Sequence, residues 1–377
     1  MTAHRVTQPL IRFQFPRTRI DLFHPLLALM LVIWIGNLPP AIAVAPPRDP
    51  FDPWQIENLM TEPRVALGVV PWDNHIYAIG GRGDNPYLNS VEYTVVESTG
   101  SLGTWQTTTS LGKARYALSA VPSAGRIYAI GGFGWDPAKG ESALKDVETA
   151  LVQADHSLES WTIATPMTTA RARLATVVWK DHVYALGGSH DNMPLDTVEW
   201  STLQLDGSLS AWQSAGHMTS AREGLAATIM GDYIYAIGGR YNDSTGPHAL
   251  DTIERARINT DGSLDTWQEI SKMQVPRFHP AAVISGNYLC VLGGSNESNG
   301  GTYLNSVEIA VINSDGSLGP WQSALYMISP RVAFGAVQVQ NNLYAVGGSN
   351  STATLASVER TGSPLNAPFL FLPMVLR

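Results

Sequence analysis

Six times along the chain a tryptophan is followed ten residues on by an arginine, and sixteen residues after that by a Gly-Gly pair, without slippage. The tryptophans are Trp54, Trp105, Trp161, Trp212, Trp267 and Trp321; the arginines are Arg64, Arg115, Arg171, Arg222, Arg277 and Arg331. The glycine pairs begin at Gly80, Gly131, Gly187, Gly238, Gly293 and Gly347. Successive tryptophans stand 51, 56, 51, 55 and 54 residues apart. Self-similarity at a period near fifty marks an array of supersecondary units, and the all-β array with this period is a β-propeller.

One repeat reads as four strands. After each arginine comes an apolar stretch, a two-residue turn such as Asp73-Asn74 or Gly286-Asn287, and then Ile-Tyr-Ala-Ile-Gly-Gly or a close variant. That is a tight hairpin of strands a and b. Strand c opens on Val-Glu or Ile-Glu, with the glutamates at Glu92, Glu148, Glu199, Glu254, Glu308 and Glu359. Strand d follows a turn such as Asp206-Gly207 and carries the tryptophan thirteen residues after the glutamate. Four antiparallel strands per repeat make one blade, and six repeats make six blades. The last repeat has Leu372 where its tryptophan would fall, whereas Trp54 precedes the first strand a. The expectation is a ring closed by the N-terminal strand, with Trp54 to Glu57 as strand d of blade 6. A rival strand at Phe369 to Leu372 is flanked by Pro368 and Pro373, which a sheet interior disfavours.

The segments outside the array differ in kind. Arg5, Arg12, Arg17 and Arg19 precede an apolar run from Leu26 to Gly36, then Ala41-Ile42-Ala43, a small-x-small cleavage pattern. Residues 1–43 are expected to be a signal peptide, with a retained N-terminal anchor as the alternative and a route to membrane association. Residues 44–53 read as a proline-rich linker, 54–365 as the propeller, and 366–377 as an apolar C-terminal tail. The localisation implied is extracytoplasmic, secreted or envelope-associated. Net charge is -8, and it becomes -11 once the four arginines and one aspartate of residues 1–43 are set aside. Without a basic stripe to neutralise phosphates, nucleic acid is not an expected partner. The single cysteine, Cys290, excludes an intrachain disulfide. It falls three residues before Gly293, where the other repeats carry Tyr77, Tyr128, Tyr184, Tyr235 and Tyr344, so it reads as a core residue.

The arginine, Tyr-x-x-Gly-Gly, Val-Glu and tryptophan at these offsets resemble kelch repeats, over about residues 54 to 360. The resemblance implies an all-β, six-bladed propeller of kelch type. It also admits enzymes. Galactose oxidase, a kelch-like enzyme, uses copper with a tyrosine crosslinked to cysteine, but here the one cysteine occupies a repeat slot. The exported N-acetylneuraminate epimerases are a nearer resemblance. They imply Glu223 as general base with Arg82, Arg173 and Arg240 as carboxylate partners.

A feature present once per blade is explained by the blade, so the arginine and glutamate series read as scaffold, with ion pairs or capped loops, ahead of a binding ring. Length variation is confined to the b–c loop: from the second glycine to the glutamate the count is 11, 16, 11, 15, 14 and 11. Variable loops on a rigid scaffold are where recognition resides. The d–a connections share that face. Its non-repeating residues include Arg82, Tyr116, Trp135, Arg173, His190, Arg240, Tyr241 and His279, the candidate ligand-binding set. Arginines beside aromatic rings suit a carboxylate and a sugar face or side chain. No metal-ligand spacing accompanies His190, His248 or His279, so neither metal nor cofactor is expected. The Arg82-Gly83-Asp84 tripeptide carries no weight by itself. The function expected is a non-catalytic module binding a protein or glycan at the cell exterior. A sugar epimerase or mutarotase acting on a sialic-acid-like sugar, and a structural envelope scaffold, are the alternatives. Nothing in the sequence sets an oligomeric state.

Overall fold

A computed structural model describes residues 50–296 and 301–362. The expected leader (1–43), most of the linker (44–53) and the tail (366–377), with the rival strand Phe369 to Leu372, lie outside the described residues. Among the described residues the chain is all β, with six four-stranded antiparallel sheets and three two-stranded hairpins. In blade 1, strands a to d are Gly68–Trp72, His75–Ile79, Val91–Val95 and Gln106–Thr108, paired in that order. Blades 2 to 5 repeat the order from Ser119–Ser123, Ala175–Trp179, Ala226–Met230 and Ala281–Ser285. Blade 6 takes three strands from the C-terminal repeat, Gly335–Val339, Asn342–Val346 and Val358–Gly362. Its fourth is Gln55–Ile56, with Gln55 opposite Arg360 and Ile56 opposite Glu359. The N-terminal latch is therefore present, and it covers the edge of the last sheet.

Each apolar core cluster straddles two neighbouring blades, so no blade has a core of its own. Val70, Ile79 and Val91 of blade 1 pack with Leu118, Ile127 and Ala150 of blade 2. Phe51 and Trp54 close the ring by packing with Val283, Cys290 and Leu292 of blade 5. Strands a of all six blades line a central channel of about 340 Å³. Crowding near the axis explains why these strands are rich in glycine and alanine. A Cβ on Gly68 would come within 2.8 Å of Ala120 Cβ, and one on Gly335 within 2.1 Å of Val69 Cγ2.

The repeat arginines are wholly buried and knit each blade to the loop that leads into it. Arg222 is typical: Nε and Nη2 donate to Glu254 Oε1, Nη1 to the carbonyls of Gly238 and Thr252, and Nη2 to Thr252 Oγ1. Glu254 in turn accepts the backbone N–H groups of Thr219 and Ser220, at 2.6 and 3.2 Å, capping the d–a connection. Both sequence expectations, ion pair and loop cap, thus hold for the same pair. The glycine pair fits underneath. The first glycine has φ between +55° and +65°, and a Cβ there would lie 2.4–2.7 Å from the next blade's arginine carbonyl. The second donates its N–H to that same carbonyl, from Gly81 to Arg115 at 2.9 Å round to Gly348 to Arg64 at 2.7 Å.

The tyrosine series carries a second interblade tie. The Tyr128 hydroxyl donates to the Gly207 carbonyl in the c–d turn of the next blade, and Tyr184 does the same to Gly262, both at 2.6 Å. Blade 5 has no such acceptor ahead of it, because strands c and d of blade 6 come from opposite ends of the chain and no turn joins them. That is where the repeat carries Cys290, fully buried, with its thiol pushed up by burial. The one break in the tyrosine series falls at the one missing turn.

Two stability outcomes are expected. Arg222→Ala strands Glu254 without its counter-charge and should cost about 3–5 kcal/mol in urea denaturation. Tyr184→Phe should cost about 1–2 kcal/mol, leaving one buried carbonyl unpaired. A pH effect comes from His75, which stacks on His156 of blade 2 at 3.8 Å. Its pKa is lowered to about 4 by burial, and further by His156, against an opposing pull from Asp73. A folded pKa below the unfolded 6.5 means stability is full above 6.5 and drains away as pH falls towards 4. Replacing His75 with asparagine, as at Asn342 of blade 6, should flatten the melting temperature between pH 7 and pH 5.

Candidate functional site

The rim of the channel is built by two rows of residues that the repeat places side by side. The residue after each arginine forms a two-residue bridge with the residue after the Gly-Gly pair of its own blade: Val65 with Arg82, Tyr116 with Phe133, Glu223 with Arg240, Phe278 with Ser295. The next residue in each blade is left-handed, with φ of +51° to +58° at Ala66, Ala117, Arg173, Gly224, His279 and Ala333. These six link into a closed ring of backbone hydrogen bonds. Ala117 N–H donates to Ala66, Arg173 to Ala117, Gly224 to Arg173, His279 to Gly224 and Ala333 to His279, and Ala66 returns to Ala333, at 2.7–3.2 Å. The ring surrounds a bore of about 100 Å³ at the loop end of the channel. Arg173 and His279 therefore hold a backbone conformation that bulky residues avoid, and the ring is what fixes it.

Upon that ring the non-repeating residues form a continuous arc over blades 1 to 5. Tyr87 packs on Tyr116 at 5.7 Å and Tyr116 on Phe133 at 5.3 Å. The Arg82 guanidinium lies 5.9 Å from the Tyr116 ring, and that of Arg173 lies 4.9 Å from the Phe133 ring. Arg173 Nη1 donates to Glu223 Oε2 at 2.8 Å, and Arg240 Nε donates to Glu223 Oε1 at 2.6 Å. Arg240 in turn lies 4.3 Å over Phe278, which packs against His279 at 4.0 Å.

The electrostatics follow from that order. Burial would raise the Glu223 carboxyl, but the guanidinium groups of Arg173 and Arg240 overcome it and hold it below the usual carboxylate range. His279 is lowered to about 3, first by desolvation and then by Arg173, so it is neutral at physiological pH. The Tyr87 phenol donates to Glu141 Oε2 at 2.7 Å. Burial and Glu141 push Tyr87 and Tyr116 up to about 12.

Of the sequence candidates, Arg173, Glu223, Arg240 and His279 converge directly, and Arg82 and Tyr116 join through Phe133. Trp135, His190 and Tyr241 stand apart on three hairpins that the b–c loops of blades 2, 3 and 4 form. These are Phe133–Asp136 with Gly140–Ala143, Ser189–His190 with Met193–Pro194, and Arg240–Asp243 with Gly246–Ala249. Trp135 is exposed on the first, and His190 is exposed beside Asp191 on the second. Tyr241 packs on His248 at 5.2 Å on the third. Sequence reasoning missed Tyr87 and Glu141, which tie the loops of blades 1 and 2 together. Their loops differ in length, so no repeat offset marks them. Among the described residues no group of three or more metal-ligating side chains is gathered. Removing Glu223 leaves two partly exposed guanidinium groups facing each other, so Glu223→Ala should cost about 2–3 kcal/mol in denaturant titration.

Comparison with known proteins places the repeat. The Kelch motif model matches residues 63–93 and 330–360. The chain is 26% identical to alpha-scruin of Limulus polyphemus over 60% of its length and 24% of that protein. It is 26% identical to beta-scruin of the same organism over 52% of its length and 21% of that protein. With mouse Kelch-like protein 38 it shares 22% identity over 78% of its length and 45% of that protein. The chain thus spans between a fifth and under half of these curated relatives. A solved structure titled "Structure of YjhT" superposes with a TM-score of 0.65 and 15% identity, covering 80% of this chain and 95% of that one, a likeness of fold. Six blades built on one Arg–Glu register, with kelch motifs matched in the first and the last, place the chain in the kelch-repeat β-propeller family.

Proposed function

We propose that this chain is an exported, non-catalytic recognition module that binds a protein partner through the b–c/d–a face, with a glycan as the other macromolecular ligand the surface chemistry suits. The observation that carries the reading is the convergence of non-repeating residues on one arc of the rim, beside three projecting hairpins. Stacked arginine–aromatic pairs and an exposed tryptophan are the groups that supply binding energy at protein interfaces. Kelch-repeat relatives support protein binding as the general role. Export rests on the sequence of residues 1–43 and remains part of the proposal.

The epimerase reading asks Glu223 to act as a general base. A base at neutral pH needs a free oxygen and a pKa near the working pH. Both Glu223 oxygens accept from arginine and its pKa is lowered, which favours a positioning role for the carboxylate. The test uses peptides selected by phage display on the wild-type protein. Their binding should be lost in the Trp135→Ala, Arg173→Ala, Tyr241→Ala triple variant, with circular dichroism showing that the fold is retained although the melting temperature falls with the loss of the Arg173–Glu223 pair. Selected peptides that bind wild type and variant equally would overturn the placement. Acceleration of N-acetylneuraminate mutarotation by the protein, abolished by Glu223→Gln, would instead favour the enzyme.

A further inference from the structure

Four positions on the outer wall break the repeat in a direction the scaffold does not require. Two residues after the tryptophan, blades 1, 3, 4 and 5 carry Thr107, Ser214, Glu269 and Ser323, whereas blade 6 has Ile56 and blade 2 has Ile163, which stands alone there because Pro166 and Thr168 occupy the other two offsets of that blade. Five residues after it, four blades carry Ser110, Pro166, His217 and Lys272, but the remaining two have Leu59 and Tyr326. Seven residues after it, Thr61, Gly112, Thr168, Thr219 and Gln274 give way to Ile328. Ile56, Leu59 and Tyr326 are 63%, 59% and 56% exposed, and Leu325 and Ile328 are exposed as well.

These side chains share one seam. The Trp54 indole N–H donates to the Leu325 carbonyl at 3.0 Å, tying the outer strand of blade 6 to the end of blade 5. Ile56 is opposite Glu359 across the sheet, and the Ile328 N–H donates to Glu359 Oε2 at 2.7 Å, so both lie over the same residue. The Glu57 N–H donates to Val358 and the Met60 N–H to Ala356, which sets Leu59 along the same strand c. An apolar surface at the seam of blades 5 and 6 is what results, on the blade from which the chain departs at Gly362.

We propose that this seam is the docking surface of the chain's own C-terminal segment, Phe369 to Leu376. Beyond Gly362 run fifteen residues in which Phe369-Leu370-Phe371-Leu372 and Met374-Val375-Leu376 flank Pro373. At about 3.3 Å per extended residue, the segment reaches roughly 50 Å, enough to return along the neighbouring outer strand. Pro368 and Pro373 have no N–H to donate, so the proposed docking would rest on side-chain contacts and isolated hydrogen bonds at the short Gln55–Ile56 edge. The surface and the segment are matched in chemistry, and what distinguishes the seam from the lone Ile163 of blade 2 is that Ile56, Leu59, Tyr326 and Ile328 are gathered there.

The experiment uses the full chain with Leu372→Cys labelled by bimane; Cys290 is buried and does not react. In the Tyr326→Trp background a docked segment brings the dye to a tryptophan quencher, and emission should fall severalfold relative to Tyr326→Phe. The loss should not depend on protein concentration, and Leu59→Asp with Ile328→Asp should restore emission. Those two residues are exposed, and circular dichroism checks that the fold is retained. Equal emission in the tryptophan and phenylalanine backgrounds would overturn the proposal. So would quenching that grows with concentration, which would assign the seam to a second copy, or quenching that survives the aspartate substitutions.

Discussion

Six guanidinium groups, none of them in contact with water, hold this propeller together. A buried arginine is tolerable only when its donors find fixed acceptors, and here, with Arg331 Nε the one donor left without a partner, those acceptors come chiefly from the end of strand b, the start of strand c and the paired glutamate. Because the glutamate also caps the loop arriving from the preceding blade, a single ion pair fixes both the blade and the way into it. Everything nearer the axis depends on that placement. The arginine carbonyl receives the second glycine of the preceding blade, and the glycines lack a Cβ because the carbonyl occupies its space. The left-handed ring at the channel mouth begins two residues after the arginine, so its geometry is inherited from the same anchor.

The ring then does for the site what the ion pairs do for the blades. It leaves the rim with a rigid backbone, while the side chains that project from it vary freely. Alanine fills three of the six positions, glycine one, and arginine and histidine the other two. The asymmetry of the candidate site is therefore an asymmetry of side chains on a near six-fold support. Blades 2 to 5 contribute the Arg173–Glu223–Arg240 bridge with its two aromatic platforms, whereas blade 6 presents Val332, Ala333 and Ser349 at the same places.

Much of this was legible in the sequence because the repeat signals are local and short-range. The a–b hairpin, the Val-Glu start of strand c and the tryptophan strand recur at fixed offsets, and the blades appear where those offsets put them. The latch was legible for the same reason, as a tryptophan strand missing at one end and present at the other. Other features were hidden because they depend on side chains meeting across blades. No offset in one repeat reveals that Arg173 and His279 are left-handed, since the partner that fixes each lies in the preceding blade. Likewise the Trp267 indole lacks the acceptor that four other tryptophans find in a neighbouring carbonyl. Strand d of blade 3 bulges there, at Gly216 with φ +87°, an irregularity that the sequence marks only as one more glycine. Loop tips were the least legible part: Trp135, His190 and Tyr241 sit on hairpins whose reach away from the rim depends on pairing within each loop.

The two-ended construction of blade 6 also sets an order of events for assembly. Blades 1 to 5 each pair their strands within a stretch of about fifty residues, so each after the first can pack on the blade before it while the rest of the chain is still being made. Blade 6 cannot, because Gln55 must find Arg360 across almost the whole chain. Until then five blades stand as an open arc, with the apolar faces of blades 1 and 5 uncovered and Phe51 and Trp54 without a home. Loop closure over such a separation is slow compared with hairpin formation, so the last step is the vulnerable one. The missing turn that accounts for Cys290 is thus also the seam at which an incomplete ring would pair with another chain.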